Sequence, residues 1–244
     1  MLDTLLTALG FLTILPIRSK KEKCVEDLGR SAGWFPYVGA LIGALAALTY
    51  AGFSIIFPKL LAAALTAAIW IALTGGLHLD GLADCFDGLL YPGAPEKRLE
   101  IMKDPHHGTF AGIGLALTIL IKIIALYSLP EGAAWLALPL AGATARWLLL
   151  PAAKQPSARP GGLGSQFSAG LQNRAFFWGA LPVAALTILI GWQALALVAA
   201  AHGLAWLVFR LARTRLGGMT GDVYGLLVEM SELVILIGFC VKGL

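Results

Sequence analysis

Apolar runs long enough to cross a bilayer recur along the chain, each ended by charge, proline or glycine, and one crossing takes about 20 such residues. Seven are legible: Ala32 to Phe57, Leu60 to Leu79, Thr109 to Leu129, Ala133 to Pro151, Ala175 to Ile190, Gln193 to Phe209, and Val223 to Val241. The fifth and sixth are joined only by Gly191 and Trp192, which predicts a tight hairpin. Leu2 to Ile17 is apolar too, but it is short and carries Asp3. It lacks the basic start and small-residue cleavage site of a signal peptide, so an interfacial or re-entrant helix is expected there. The fold predicted is all-α: a polytopic integral membrane bundle of about seven transmembrane helices with an N-terminal interfacial helix. No repeat period, low-complexity tract or linker divides it, so residues 1–244 read as a single unit.

Composition strengthens that reading. The chain is 58% hydrophobic and 13% charged, against about 25% charged in soluble domains. Too few polar residues remain to clothe a water-soluble surface, which excludes a soluble enzyme, a disordered chain and a disulfide-stapled secreted domain. The 29 glycines fit helices that approach closely in lipid. Cys24, Cys85 and Cys240 are an odd number without CxxC spacing, and signal neither a disulfide framework nor a thiolate metal site.

The net charge of +4 means less than where the cations lie. Arg18, Lys20, Lys21, Lys23 and Arg30 precede the first span; Lys97, Arg98 and Lys103 follow the second; Lys154, Arg159 and Arg174 follow the fourth; Arg210, Arg213 and Arg215 follow the sixth. These fourteen of eighteen fall on one side, which the positive-inside rule makes cytoplasmic. Lys59 and Lys242 fall on the other, and Lys122 and Arg146 inside nominal spans. Far-side connections of a few residues are too short to build a site, so any chemistry is expected at the cytoplasmic face. Lipid, not nucleic acid, is the partner this distribution implies.

Two acidic constellations stand out. In GGLHLDGLADCFDGL, Gly75 to Leu89, the aspartates Asp80, Asp84 and Asp87 are spaced i+4 and i+3, which puts them on one face of a continuing helix. Neighbouring carboxylates repel, and hard oxygen ligands at this spacing suit Mg²⁺ or Mn²⁺; a solvated helix end is the plainer alternative. His78 is placed to orient this cluster. In GGMTGDVYGLLVEMSEL, Gly217 to Leu233, Asp222, Glu229 and Glu232 share another face. Glu229 and Glu232 lie in an apolar helix and need a metal, an Arg or a Lys as partner, with Arg146 or Arg210 the candidates if the role is structural. Asp222 after Thr220 and Gly221 is open to a second reading, as a helix cap.

Two further stretches carry cations. In IMKDPHHGTF, Ile101 to Phe110, Lys103, Asp104, His106 and His107 precede the third span; they are suited to phosphate or metal, or to a turn and helix start. KQPSARPGGLGSQF, Lys154 to Phe167, is a Pro- and Gly-fixed loop whose Lys154 and Arg159, with Arg146, resemble phosphate binders. His202 reads as a hydrogen-bonded bundle histidine.

Taken in order, GGLHLDGLADCFDGL, IMKDPHHGTF, the RPGGLG loop and GGMTGDVYG followed by Glu229 and Glu232 resemble the cobalamin synthase family, the adenosylcobinamide-GDP ribazoletransferases. The likeness extends through FLTILPI at Phe11 to Ile17 and WFPYVGALIG at Trp34 to Gly43, and so covers nearly the whole chain. It departs from the family pattern at Pro105 and His107, where a Ser and an aliphatic residue are usual. The resemblance implies an Mg²⁺-dependent membrane enzyme that joins adenosylcobinamide-GDP to α-ribazole or its 5′-phosphate and releases GMP. It implies that Asp80, Asp84, Asp87 and Asp222 hold one or two Mg²⁺ ions across the diphosphate, with Asp84 among the catalytic carboxylates. Asp87 or Glu229 would take the hydroxyl proton. Lys103, His106, Arg146, Lys154, Arg159 and Glu232 would bind substrate; the oligomeric state, homo-oligomer or monomer, is left open.

Two rivals share parts of this pattern. A CDP-alcohol phosphotransferase of lipid synthesis shares the Asp-Gly start, present in the D-G-x-A of Asp80 to Ala83, but then needs Arg where this chain has Asp84. A secondary transporter would use paired acids for Na⁺ or H⁺, yet near the bilayer midplane rather than at cytoplasmic helix ends.

Overall fold

A computed structural model describes residues 2–17 and 26–241, and among these the regular structure is entirely helical. Arg18, Lys20, Lys21, Lys23, Cys24 and Lys242 lie outside the described residues. The helices are α1 (Leu2–Leu12), α2 (Glu26–Ser31), α3 (Phe35–Ile56), α4 (Lys59–Leu73), α5 (Leu77–Leu90), α6 (Pro95–Ile101), α7 (Thr109–Ser128), α8 (Ala134–Trp147), α9 (Leu149–Ala153), α10 (Leu163–Gly170), α11 (Arg174–Ile190), α12 (Trp192–Leu216) and α13 (Gly221–Phe239).

Four helical stretches are long and apolar enough to cross a membrane: Leu28–Ile56, Thr109–Ser128, Ala134–Ala153 and Trp192–Leu216. The number rises to six if each of two bent pairs is one span. The first pair is the second run of the sequence. It does not continue as one helix, because Gly75 and Gly76 adopt φ of 64° and 68°, a left-handed conformation that costs glycine no Cβ clash. The chain turns 92° between α4 and α5, so α5 cannot prolong a crossing begun by α4. The second pair, Gly164–Gly170 with Arg174–Ile190, bends by 100°.

The remaining segments keep close to their expected bounds, with instructive differences. Leu2 to Ile17 is helical only to Leu12. The sixth run extends to Leu216, so Arg213 and Arg215 ride on its last turn, beside the negative end of the helix dipole, instead of forming a loop. The segment from Val223 is a 19-residue helix, α13, buried along most of its length. It packs on α5, α8 and α12, and its three acids make it unlike a lipid-facing span.

Apolar burial holds these layers together. Leu82, Cys85, Leu126, Leu138, Leu227, Val228, Ile235 and Leu236 belong to one core running from α5 through α7 and α8 to α13. Much of the exposed surface is apolar too, as with Ile55, Ile113, Leu120, Ile188 and Leu195. The crossing of α5 and α13 is the closest approach that matters for chemistry. A Cβ on Gly81 would stand 2.8 Å from the Asp222 carbonyl oxygen, and one on Gly225 would stand 2.7 Å from that of His78. Glycine at both positions lets the two acidic segments meet.

Candidate active site at the crossing of α5 and α13

Asp80 and Asp84 occupy successive turns of α5, and the glycine crossing brings them beside Asp222 in the first turn of α13. Thr220, not Asp222, caps α13: its Oγ1 accepts from Val223 N at 3.3 Å and donates to Asp222 Oδ2 at 3.2 Å. The Lys154–Phe167 stretch reaches the same place because its backbone is pinned. Met219 N donates to Pro156 O (2.7 Å) and Ala158 N to Met219 O (2.9 Å). Arg159 is thereby set against α13, with Nη1 donating to Asp222 Oδ2 at 2.9 Å and Nη2 to Leu99 O at 3.0 Å. Its Nε is buried without a protein partner, a donor left over for an anion.

Among the described residues these carboxylates are short of positive charge. Burial, and then the negative charges of Asp222 and Asp80, push Asp84 up to about 6. His107, with Nδ1 3.8 Å from Asp84 Oδ1, and Arg159 offset this only in part. Two cavities adjoin the cluster. One of about 400 Å³ is bordered by His78, Asp80, Arg159, Thr220, Asp222 and Tyr224. The other, about 460 Å³, lies between Gly75, Asp80, His107 and Leu115. Among the described residues no three His, Cys, Asp or Glu side chains converge tightly enough to hold a metal ion by themselves. The donor set nonetheless fits Mg²⁺, which is bound by one or two carboxylates and completes its shell with water and substrate phosphate oxygens.

The other expected residues are placed elsewhere or already engaged. Asp87 accepts from Gly108 N (2.6 Å) and Ala111 N (2.9 Å), and so caps α7 from a neighbouring helix. Lys122 Nζ stands 2.7 Å from Glu229 Oε2 and 2.8 Å from Glu232 Oε2, all three residues being buried. Arg146 donates to Glu232 Oε1. Arg210 instead lies over the ring of Trp206. Glu229, Glu232 and Arg146 border neither cavity. Lys154 faces the Phe176 ring at 6.0 Å. Lys103 is exposed, and His106 closes a turn on Asp104, its Nδ1 2.8 Å from Oδ1, with its side chain 90% exposed.

Three functional placements escaped sequence reasoning. His107, not His106, reaches the aspartates. Lys122, which looked like an isolated cation in a span, is the partner of both glutamates; an unneutralised Lys in an apolar run was itself the signal. Arg98, counted above as a topology marker, is buried and closes the end of α5 by donating to Gly93 O at 2.8 Å, to Gly88 O at 3.3 Å and to Leu89 O. His78 is 4% exposed and lies 3.5 Å through Nδ1 from Arg146 Nη2. Burial and the Arg146 charge hold it down at about 3, so it is neutral with its proton on Nε2.

A family model described as cobalamin-5-phosphate synthase matches residues 4–240. Relatives named adenosylcobinamide-GDP ribazoletransferase include one from Pseudomonas aeruginosa, 43% identical over 97% of this chain and 97% of its own. Another from Ectopseudomonas mendocina is 40% identical over 96% and 97%. One from Deinococcus radiodurans is 37% identical over 94% and 82%. No solved structure matches the chain.

Proposed function

We infer the activity from the premise that this chain belongs to the cobalamin-5-phosphate synthase family. It is a transferase of cobalamin synthesis: it joins GDP-activated adenosylcobinamide to α-ribazole or α-ribazole 5′-phosphate and releases GMP. A ribose hydroxyl attacks the phosphorus that carries the cobinamide, the bond from that phosphorus to the bridging oxygen breaks, and GMP leaves. The observation that carries the site assignment is the meeting of Asp80, Asp84, Asp222 and Arg159 at the α5–α13 crossing beside two cavities.

In this reading Asp80 and Asp222 hold Mg²⁺, with Asp84 beside them. Bound there, the ion would neutralise charge on the diphosphate, which phosphoryl transfer needs more than covalent chemistry. The residues of the chain do the rest. Arg159, with its spare Nε, orients a phosphate oxygen. His107 supplies a second donor from the α6–α7 loop beside Asp84. Asp84, whose nearest ionic partner is His107 with Nδ1 3.8 Å from Oδ1, takes the hydroxyl proton. Asp87 and Glu229, the other candidates for that task, already accept from Gly108, Ala111 and Lys122.

The reading keeps seven crossings, by α3, α4, α7, α8–α9, α11, α12 and α13, of which α3, α7, α8–α9 and α12 have the length and apolarity of a span. α5 lies along the cytoplasmic boundary of a bacterial inner membrane, and the site opens to the cytoplasm. The test is an assay of purified protein in lipid nanodiscs with adenosylcobinamide-GDP and α-ribazole 5′-phosphate. GMP release that requires both substrates and is abolished by EDTA is expected, with recovery on adding Mg²⁺. GMP release indifferent to EDTA would remove the metal, and no release at all would remove the activity.

A further inference from the structure

The larger question left by the site is which substrate each cavity takes. The 400 Å³ cavity carries a feature the reaction does not by itself demand: four of its lining residues are aromatic and touch in series. Phe11 stacks on Phe35 (centroids 5.9 Å apart, planes at 19°), Phe35 on Phe167 (5.5 Å, 17°), and Phe167 meets Tyr224 edge-on (6.0 Å, 66°). They come from α1, α3, α10 and α13, so four separate helices converge on one wall. This also gives the apolar N-terminal helix a use: its Phe11 extends that wall.

Size and polarity narrow the occupant. A cavity of about 400 Å³ is near the lower end of the 300–1,000 Å³ typical of small-ligand sites, room for a nucleoside and not for a corrin macrocycle with its amide arms. Two nucleosides take part in the reaction. Guanine presents a hydrogen-bonding edge of one acceptor and two donor groups, and each left unpaired on burial costs about ten- to a hundredfold in affinity. Around the aromatic wall the lining is Leu28, Leu77 and Leu149; of its uncharged polar side chains Ser157 is already bonded to the Arg159 backbone and Thr220 to Val223 and Asp222, which leaves His78 and the Tyr224 hydroxyl, too few to pair all three groups of such an edge. The charged groups of the lining are committed in the proposed function, Asp80 and Asp222 to the reacting phosphate and Arg159 to the phosphate of the ribazole substrate. A benzimidazole has no such edge to satisfy and offers a flat apolar face, which an aromatic wall holds by stacking.

We propose that this cavity seats the ribazole, its benzimidazole against the wall of Phe11, Phe35, Phe167 and Tyr224 and its ribose toward Asp80 and Asp222, while the guanosine half and the corrin approach from outside it. The assignment rests on the transferase reading, and its test is made independent of turnover. The full-length protein in lipid nanodiscs is titrated calorimetrically with two probes, α-ribazole and guanosine. α-Ribazole binds at least tenfold more tightly than guanosine. Phe11→Leu and Tyr224→Leu, which keep apolar bulk and remove the ring, each weaken α-ribazole by about tenfold and leave guanosine unchanged, and Phe11→Tyr restores affinity. Guanosine binding as tightly as α-ribazole, or α-ribazole affinity indifferent to both Leu variants, overturns the seat even if GMP release is normal. Absent GMP release with selective α-ribazole binding overturns the transferase reading and leaves the seat standing.

Discussion

The chain carries two acidic clusters that look alike and are built on opposite principles. At the α5–α13 crossing, Asp80, Asp84 and Asp222 share Arg159 and a distant His107, and Asp80 and Asp222 line a cavity. Two turns further along α13, Glu229 and Glu232 are enclosed with Lys122 and Arg146, two acids against two cations. The spacing of acids along a helix face is the same device in both; what differs is the supply of counter-charge. A cluster neutralised from within is a pin between α7, α8 and α13. A cluster left negative at the edge of a cavity is a place for something cationic to bind.

The sharpest way to break that contrast is Asp84→Asn. If the crossing is the reaction centre, turnover falls by about two to four orders of magnitude, as when a proton-accepting or charge-stabilising group is lost. Stability moves the other way. Asp84 titrates at about 6 in the fold against about 4 unfolded, so its ionised form is disfavoured by folding. That penalty is absent below pH 4, grows as pH rises to 6, and is complete at pH 7. In metal-free buffer the Asn variant is therefore more stable than the parent at pH 7, by about 1 kcal/mol once solvent screening is allowed for, with the difference vanishing near pH 4. Denaturation in detergent micelles at both pH values measures it. An active and less stable variant would make the crossing a structural cluster like the other.

At the glutamates the prediction reverses. Lys122→Met leaves Glu229 buried without a cation and Glu232 with Arg146 alone. Removing one partner of a buried pair costs about 3–5 kcal/mol, read as a collapse of folded protein in membranes and a lowered denaturation midpoint. Lys122→Met with Glu229→Leu removes charge from both sides and recovers most of the loss. Should the double variant fold well and lose all turnover, Glu229 belongs to the chemistry.

A smaller effect separates Asp87 from its helix-mates. Asp87→Ala strips two N–H groups at the start of α7 of their acceptor, a loss of about 1–2 kcal/mol. Faster hydrogen exchange at Gly108 and Ala111 is the local signature. Unchanged exchange, with turnover abolished, would return Asp87 to the metal site.

What the sequence disclosed and what it hid divide along the same line. Periodicity and composition were enough for an all-helical chain with apolar runs, because each run signals locally. The acids could be marked as important for the same reason, since a carboxylate in an apolar helix demands a partner wherever it sits. Which partner it meets was hidden, because Lys122 lies 107 residues from Glu229 and only the packing of α7 on α13 joins them. Spacing put Asp80, Asp84 and Asp87 on one face, yet could not show that the α7 terminus would occupy the third. The break at Gly75 and Gly76 was written as glycine in the sequence, but its 92° turn depends on both residues adopting positive φ.

Arg159 gives the finest test of the comparison, because it is the one strong cation the open cluster has among the described residues. Arg159→Lys keeps the charge and loses the fork: a single ammonium cannot serve Asp222 and Leu99 O together and still present a spare donor. If the residue steers a phosphate, the apparent KM for the phosphorylated ribazole substrate rises about five- to tenfold with kcat little changed. Unphosphorylated α-ribazole, which offers no phosphate to steer, shows a smaller rise. A fall in kcat equal for both substrates would instead mean that Arg159 serves only to hold Asp222, and the open cluster would then contain, in miniature, the same self-neutralised pairing that closes the glutamates off from chemistry.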